Sequence, residues 1–172
     1  MKFCFFLLFT IASLQLNAQN DVQTENWSPS EIKFYNNVKA LANYIENHNV
    51  QDISKDTIVD KYIHIEPIDN EYEEGLHREE NSKEILAFIP MTLEKYGYNN
   101  LDVKPLRFYK DHKIYDPFKK SLKELVSQVM VYFLRDKPDE PLGTLLFDLK
   151  TYKLASWILI NFGGQAHTFL LI

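Results

Sequence analysis

The chain of 172 residues has one cysteine and five glycines. A lone cysteine cannot close a disulfide within the chain, so the fold must hold by packing and backbone pairing alone. The few glycines form no phosphate-cradling loop, which disfavours the nucleotide-binding folds. No HExxH and no clustered Asp/His spacing is present, so no metal site and no cofactor is predicted. Ser28, Ser30, Ser82, Ser121, Ser127 and Ser156 lack the strand–turn–helix setting of a nucleophile elbow. Acidic residues outnumber basic ones, 24 to 19. That balance argues against nucleic acid as a partner, because phosphate binding relies on clustered Lys and Arg. The apolar runs are all shorter than the ~20 residues a membrane-spanning helix needs.

The N-terminus carries the clearest signal. Met1-Lys2 precedes the apolar run Phe3 to Ala12, and Leu16-Asn17-Ala18 leads into polar Gln19-Asn20-Asp21. This is the pattern of a secretory signal peptide over residues 1–18, with an uncleaved anchor as the alternative. It predicts an exported protein, periplasmic or secreted, with no stable membrane span after cleavage. Cleavage after Ala18 would also remove Cys4 and Lys2. It would leave 154 residues with 18 basic and 24 acidic side chains, a net charge of −6. Residues 19–27 read as a flexible segment and 28–172 as a single domain of ordinary size.

Ser28-Pro29-Ser30-Glu31 is a helix start, with Ser28 as cap, Pro29 at the first helical position and Glu31 closing a capping box. Phe34, Val38, Leu41 and Ile45 follow at helical spacing and predict a helix over 29–47. Thr57-Ile58-Val59 and Tyr62 to Glu66 are rich in β-branched and aromatic residues and predict short strands. Residues 69–80 read as an acidic loop. Asn81 with Glu84 and the spacing of Ile85, Leu86, Ile89, Leu93 and Tyr96 predict a second helix, kinked at Pro90 and stopped at Gly97. Beyond it the chain alternates. Leu101–Tyr109 is expected to pair with Lys113–Tyr115, with one helical turn near 119–124. Val126–Leu134 is expected as a central strand, followed by strands over 142–149, 154–160 and 166–172, with a bend at Gly163-Gly164. Helices first and hairpin-linked strands after predict an α+β domain: N-terminal helices on one face of a curved, mostly antiparallel sheet of four to six strands.

Within the stretch Leu145 to Trp157, Phe147-Asp148, a short turn, Lys153-Leu154 and Trp157 resemble the late hairpin of the nuclear transport factor 2-like, cystatin-like cone superfamily. The element order is compatible with that fold, although residues 161–172 have no obvious place in a minimal cone. The resemblance implies a pocket within the cone. It implies no particular reaction, because the superfamily holds enzymes and non-enzymes alike and none of its catalytic motifs can be placed here.

His64 and Glu66, two apart on an expected strand, would share a face; lining a cavity, they would make a carboxylate-oriented base, with Asp60 nearby. The alternative is a wet edge strand. Tyr62, Trp157 and His167 are the candidate ligand-binding residues. Asp69, Glu71, Glu73 and Glu80 partly follow a calcium loop, but the glycine is one place late, so a solvated loop is the default. The basic and aromatic residues between Lys104 and Lys123 read as wet strand faces or as complementary to the acidic loop. The leading expectation is an exported, non-catalytic binding or interaction domain, for a protein partner or a small apolar ligand, acting through a concave sheet face or an aromatic-rich edge. The alternative is a small cone-fold enzyme, isomerase- or hydrolase-like, acting on a small hydrophobic substrate.

Overall fold

A computed structural model describes residues 24–48, 55–65, 88–163 and 166–170. The expected signal peptide, most of the N-terminal segment, Glu66, the acidic loop and the start of the second helix lie outside the described residues.

Helix α1 spans Pro29–Glu46. Its N-terminus is closed as the sequence predicts: the Ser28 hydroxyl accepts from the Glu31 N–H at 3.2 Å, and the Ser28 N–H donates to the Glu31 carboxylate at 2.6 Å. Just before it, Trp27 is buried, so the last residues of the N-terminal segment are anchored to the core. Helix α2 spans Lys55–Tyr62. This corrects the expected strands over 57–59 and 62–66: β-branched residues are weak helix formers, and tertiary contact overrides so small a preference. Ile58 is buried, and Tyr62, one turn on, packs 5.9 Å from the Tyr44 ring of α1. The sole β pairing described here is a parallel bridge between Ile63 and Leu154. Helix α3 spans Phe88–Tyr96. Pro90 is the third residue of this helix. Gly97 ends α3 with φ +82°, its N–H donating to the Leu93 carbonyl at 2.8 Å.

An antiparallel meander follows: β1 Leu101–Pro105, β2 Val129–Leu134, β3 Pro141–Phe147 and β4 Leu154–Ser156, in spatial order β1-β2-β3-β4. β2 is central, as its both-face apolarity predicts. The domain is therefore α+β with an open antiparallel sheet. The segment between β1 and β2 forms no hairpin. Three short 3-10 helices, Leu106–Tyr109, Lys113–Lys119 and Lys123–Gln128, occupy it. They replace the expected strand at 113–115, the end of the strand at 101–109 and the start of the strand at 126–134. Pro117, which lacks a ladder donor, is one reason no strand pairs there. The single strand expected over 154–160 is broken after Ser156, and β5 Leu159–Phe162 pairs instead with β6 Ala166–Phe169 as a separate hairpin. Gly163 turns it with φ +60°.

The sheet is buried on both faces. On one, Val103, Met130, Phe147 and Leu154 meet Phe34, Leu41 and Ile45 of α1 and Ile58 of α2. On the other, Val129, Val131, Leu146 and Ala155 meet Leu106, Tyr109, Phe118 and Leu122 of the 3-10 segment, with Phe169 of β6. Both faces of the sheet are thus covered by described elements. The Ser156 hydroxyl, fully buried, donates to the Leu170 carbonyl at 2.6 Å and accepts from the Ile158 N–H at 3.2 Å, tying the hairpin to β4.

Candidate functional site

Two cavities flank the sheet. The first, about 130 Å³, lies where α1 and α3 stand off from the sheet. Its walls are Val38, Leu41 and Ala42 of α1, Ile89 and Leu93 of α3, and Leu101, Val103, Leu145 and Leu154 of the sheet, with Tyr98, Tyr132 and Trp157. Strand alternation places these sheet side chains on the helix face. Asp102 also borders the cavity, but its carboxylate belongs to the opposite face. There it accepts the Val103 N–H at 2.9 Å and lies 3.1 Å from an Arg135 guanidinium nitrogen. The other charged residue in the described lining is half-buried Lys39 of α1.

Tyr132 takes its place because of Gly143. The two residues face each other across β2 and β3, and a Cβ at position 143 would stand 2.6–2.8 Å from three atoms of the Tyr132 phenol. Only glycine lets the ring lie so close to the neighbouring strand. Burial, and then the proximity of Tyr96, raises the Tyr132 hydroxyl above the usual phenol range, so it stays a neutral donor at physiological pH.

The second cavity, about 270 Å³, lies at the end of the other face, between Leu122, Leu125, Gln128, Leu146, Ala155 and Phe169, and includes His64 and Asp148. His64 is fixed through its backbone, its N–H donating to the Leu154 carbonyl at 2.8 Å. Its Nδ1 is 4.0 Å from the Asp148 carboxylate, beyond hydrogen-bond length. Asp148 is occupied by its own turn, where one oxygen accepts from the Thr151 N–H and hydroxyl, both at 2.7 Å, and from the Lys150 N–H at 3.1 Å. Burial alone would raise this carboxyl, but those hydrogen bonds and His64 outweigh it and hold it below the ordinary aspartate range. The arrangement orders the β3–β4 turn.

The candidate residues are dispersed. Asp60 is exposed on α2, where its carbonyl accepts a hydrogen bond from the Lys153 ammonium. Tyr62 packs toward α1, and His167 lies on β6 opposite Asn161. Trp157 lines the first cavity and His64 the second, so the expected ligand and base residues do not share a site. Much of the basic and aromatic stretch is used internally. Arg107 grips Glu31 at 2.8 Å, Lys104 lies 4.4 Å over the Tyr109 ring, and Lys119 pairs with Asp116. His48 and His112 serve backbone groups near helix ends. Lys39, Tyr98 and Tyr132 were not predicted as site residues; the one local clue was a glycine inside a strand, which signals a close approach. Among the described residues, no group of three His, Cys, Asp or Glu is placed to hold a metal ion, and no helix is long and apolar enough to cross a membrane. No family model, curated protein or solved structure matches the chain.

Proposed function

We propose that the chain is an exported, non-catalytic binding domain whose ligand is a small apolar molecule held between α1, α3 and the sheet. One observation carries the reading: the first cavity is walled almost wholly by aliphatic and aromatic side chains, with a few polar groups among them. That is the usual composition of a small-molecule site. Its volume, about 130 Å³, compares with the ~150 Å³ apolar cavity known to take benzene, so the ligand is the size of one ring. The apolar leader of residues 3–12 supports export. A pocket beneath helices is also what the cone resemblance implies.

Trp157 reports on the site. The chain has two tryptophans, and Trp27→Phe leaves Trp157 as the sole emitter. Titrating that variant with toluene should give a saturable change in Trp157 emission. A strictly linear response up to the solubility limit of toluene would refute the reading. The enzymatic alternative is a small cone-fold enzyme that uses His64 with Glu66, or Asp60, on a small hydrophobic substrate. It predicts turnover that His64→Gln abolishes while the toluene response persists.

A further inference from the structure

Resting on that reading of the first cavity, we infer that its ligand is a ring-sized monocarboxylic acid, bound apolar end inward with its carboxylate at Lys39. The polar groups around the cavity are biased towards donors. A lysine ammonium and an indole N–H can only donate, and a phenol donates readily. Among the described residues, the side chains of Lys39, Tyr98, Tyr132 and Trp157 make no hydrogen bond or ion pair with one another or with any other group. The Lys39 ammonium lies 5.8 Å from the Tyr35 ring. The acidic residue at the border, Asp102, sends its carboxylate to the other face, to Arg135. The Asp102 charge is thus met by Arg135, and among the described residues Lys39 has no ion-pair partner.

The ammonium of a half-buried lysine beside an apolar chamber favours an anion over a neutral ligand and repels a cation, and both effects strengthen as water is excluded. The anion's shape follows from the donors. A phosphate calls for several converging charged or backbone donors. Here a single ammonium with neutral O–H and N–H groups matches one carboxylate. Size then limits the apolar part to about one ring or a short acyl chain.

The test uses protein recovered from cells expressing the full 172-residue sequence, titrated calorimetrically with benzoate, benzyl alcohol and benzylamine. Benzoate should bind about tenfold more tightly than benzyl alcohol, and benzylamine most weakly, in keeping with one charge-assisted hydrogen bond. Lys39→Met should abolish the preference for benzoate over benzyl alcohol, while Lys39→Arg keeps the order; added salt should weaken benzoate alone. Lys39 stands on the partly exposed side of α1, so these changes leave its core stripe intact. Equal binding of benzoate and benzyl alcohol, or a benzoate preference that survives in Lys39→Met, would overturn the inference and leave the apolar site standing. Failure of all three probes would overturn both.

Discussion

Glu31→Ala should destabilise the protein more than any other charge substitution in α1. The Glu31 side chain is about 8 % exposed and accepts three hydrogen bonds: the Ser28 N–H at 2.6 Å, and Arg107 Nε and Nη2 at 2.8 and 3.1 Å. Arg107 also donates to the Asn26 carbonyl, so one pair fastens the N-terminus of α1 to the 3-10 segment that follows β1. Removing one partner of a buried ion pair costs roughly 3–5 kcal/mol. Arg107 is 37 % exposed, so water takes up part of its charge when Glu31 is gone, and the cost falls to roughly 2–3 kcal/mol. Loss of the capping partner is included in that figure. For a chain of this size the change corresponds to a drop of about 5–10 °C in Tm. Urea titration at pH 7, followed by far-ultraviolet circular dichroism, would measure it, with an unchanged m-value confirming that the folded state is otherwise intact. The pH dependence gives a second check. Burial pushes the Glu31 carboxyl up, but Arg107 and the Ser28 N–H overcome this and hold it below its ordinary value of 4.5. A depressed carboxyl contributes stability that is fully present above the ordinary value and is lost as pH falls through the folded one. The gap between wild type and Glu31→Gln should therefore close as the solution is acidified below about pH 4.5. A loss under about 0.5 kcal/mol at pH 7, typical of an exposed pair, would refute the argument. So would a gap that stays constant from pH 7 to pH 3.

Gly143→Ala should drive the Tyr132 ring off β3 and into the first cavity, since the new Cβ would stand 2.6–2.8 Å from the phenol. Saturable toluene binding should disappear while the far-ultraviolet spectrum is kept; adding Tyr132→Phe would leave the clash at the ring carbon and should not restore binding, whereas Tyr132→Leu should. Phe147→Ala should cost about 3–5 kcal/mol by urea titration, because Phe147 is fully buried and stacks 4.6 Å from Phe34. Asp148→Ala should loosen the β3–β4 turn, seen as faster amide exchange at Lys150 and Thr151, with no loss of toluene affinity. Lys119→Ala should leave the urea midpoint unchanged, as its pair with Asp116 is exposed on both sides.

The elements with a self-contained local signature were legible in the sequence. The capping box and four-residue apolar spacing of α1 appear as written, and so do the double-faced apolar run of β2 and the Asp148–Tyr152 turn. The failures share a cause. Thr57-Ile58-Val59 looks β-prone residue by residue, but Ile58 and Tyr62 sit one helical turn apart and the partner that rewards this arrangement, Tyr44, is thirteen or more residues away in sequence. The alternation around Lys113–Tyr115 is likewise too short to outweigh Pro117 and the need to cover Val129 and Val131. The first cavity was illegible except through Trp157 and Gly143. Its walls come from two helices, four strands and the segments after α3 and β4, and no sequence window contains more than a fragment of it.

The two-faced burial of the sheet bears directly on where the proposed binding would take place. Had one sheet face been open, an interaction surface there would have needed no cavity, and the aromatic residues of β2 and β3 would have formed it. The 3-10 segment and the β5–β6 hairpin close that face instead, through Phe118, Leu122 and Phe169. This leaves the helix side, where Lys39 and Val38 sit on the same helix as the core residues Phe34, Leu41 and Ile45. A side chain on a helix locked into the core by its neighbours is held more precisely than one on a loop. The residues proposed to donate to the ligand therefore stand on rigid elements, Lys39 on α1 and Tyr132 on the central strand. A ligand of one ring would meet a preformed site, with little ordering cost on binding.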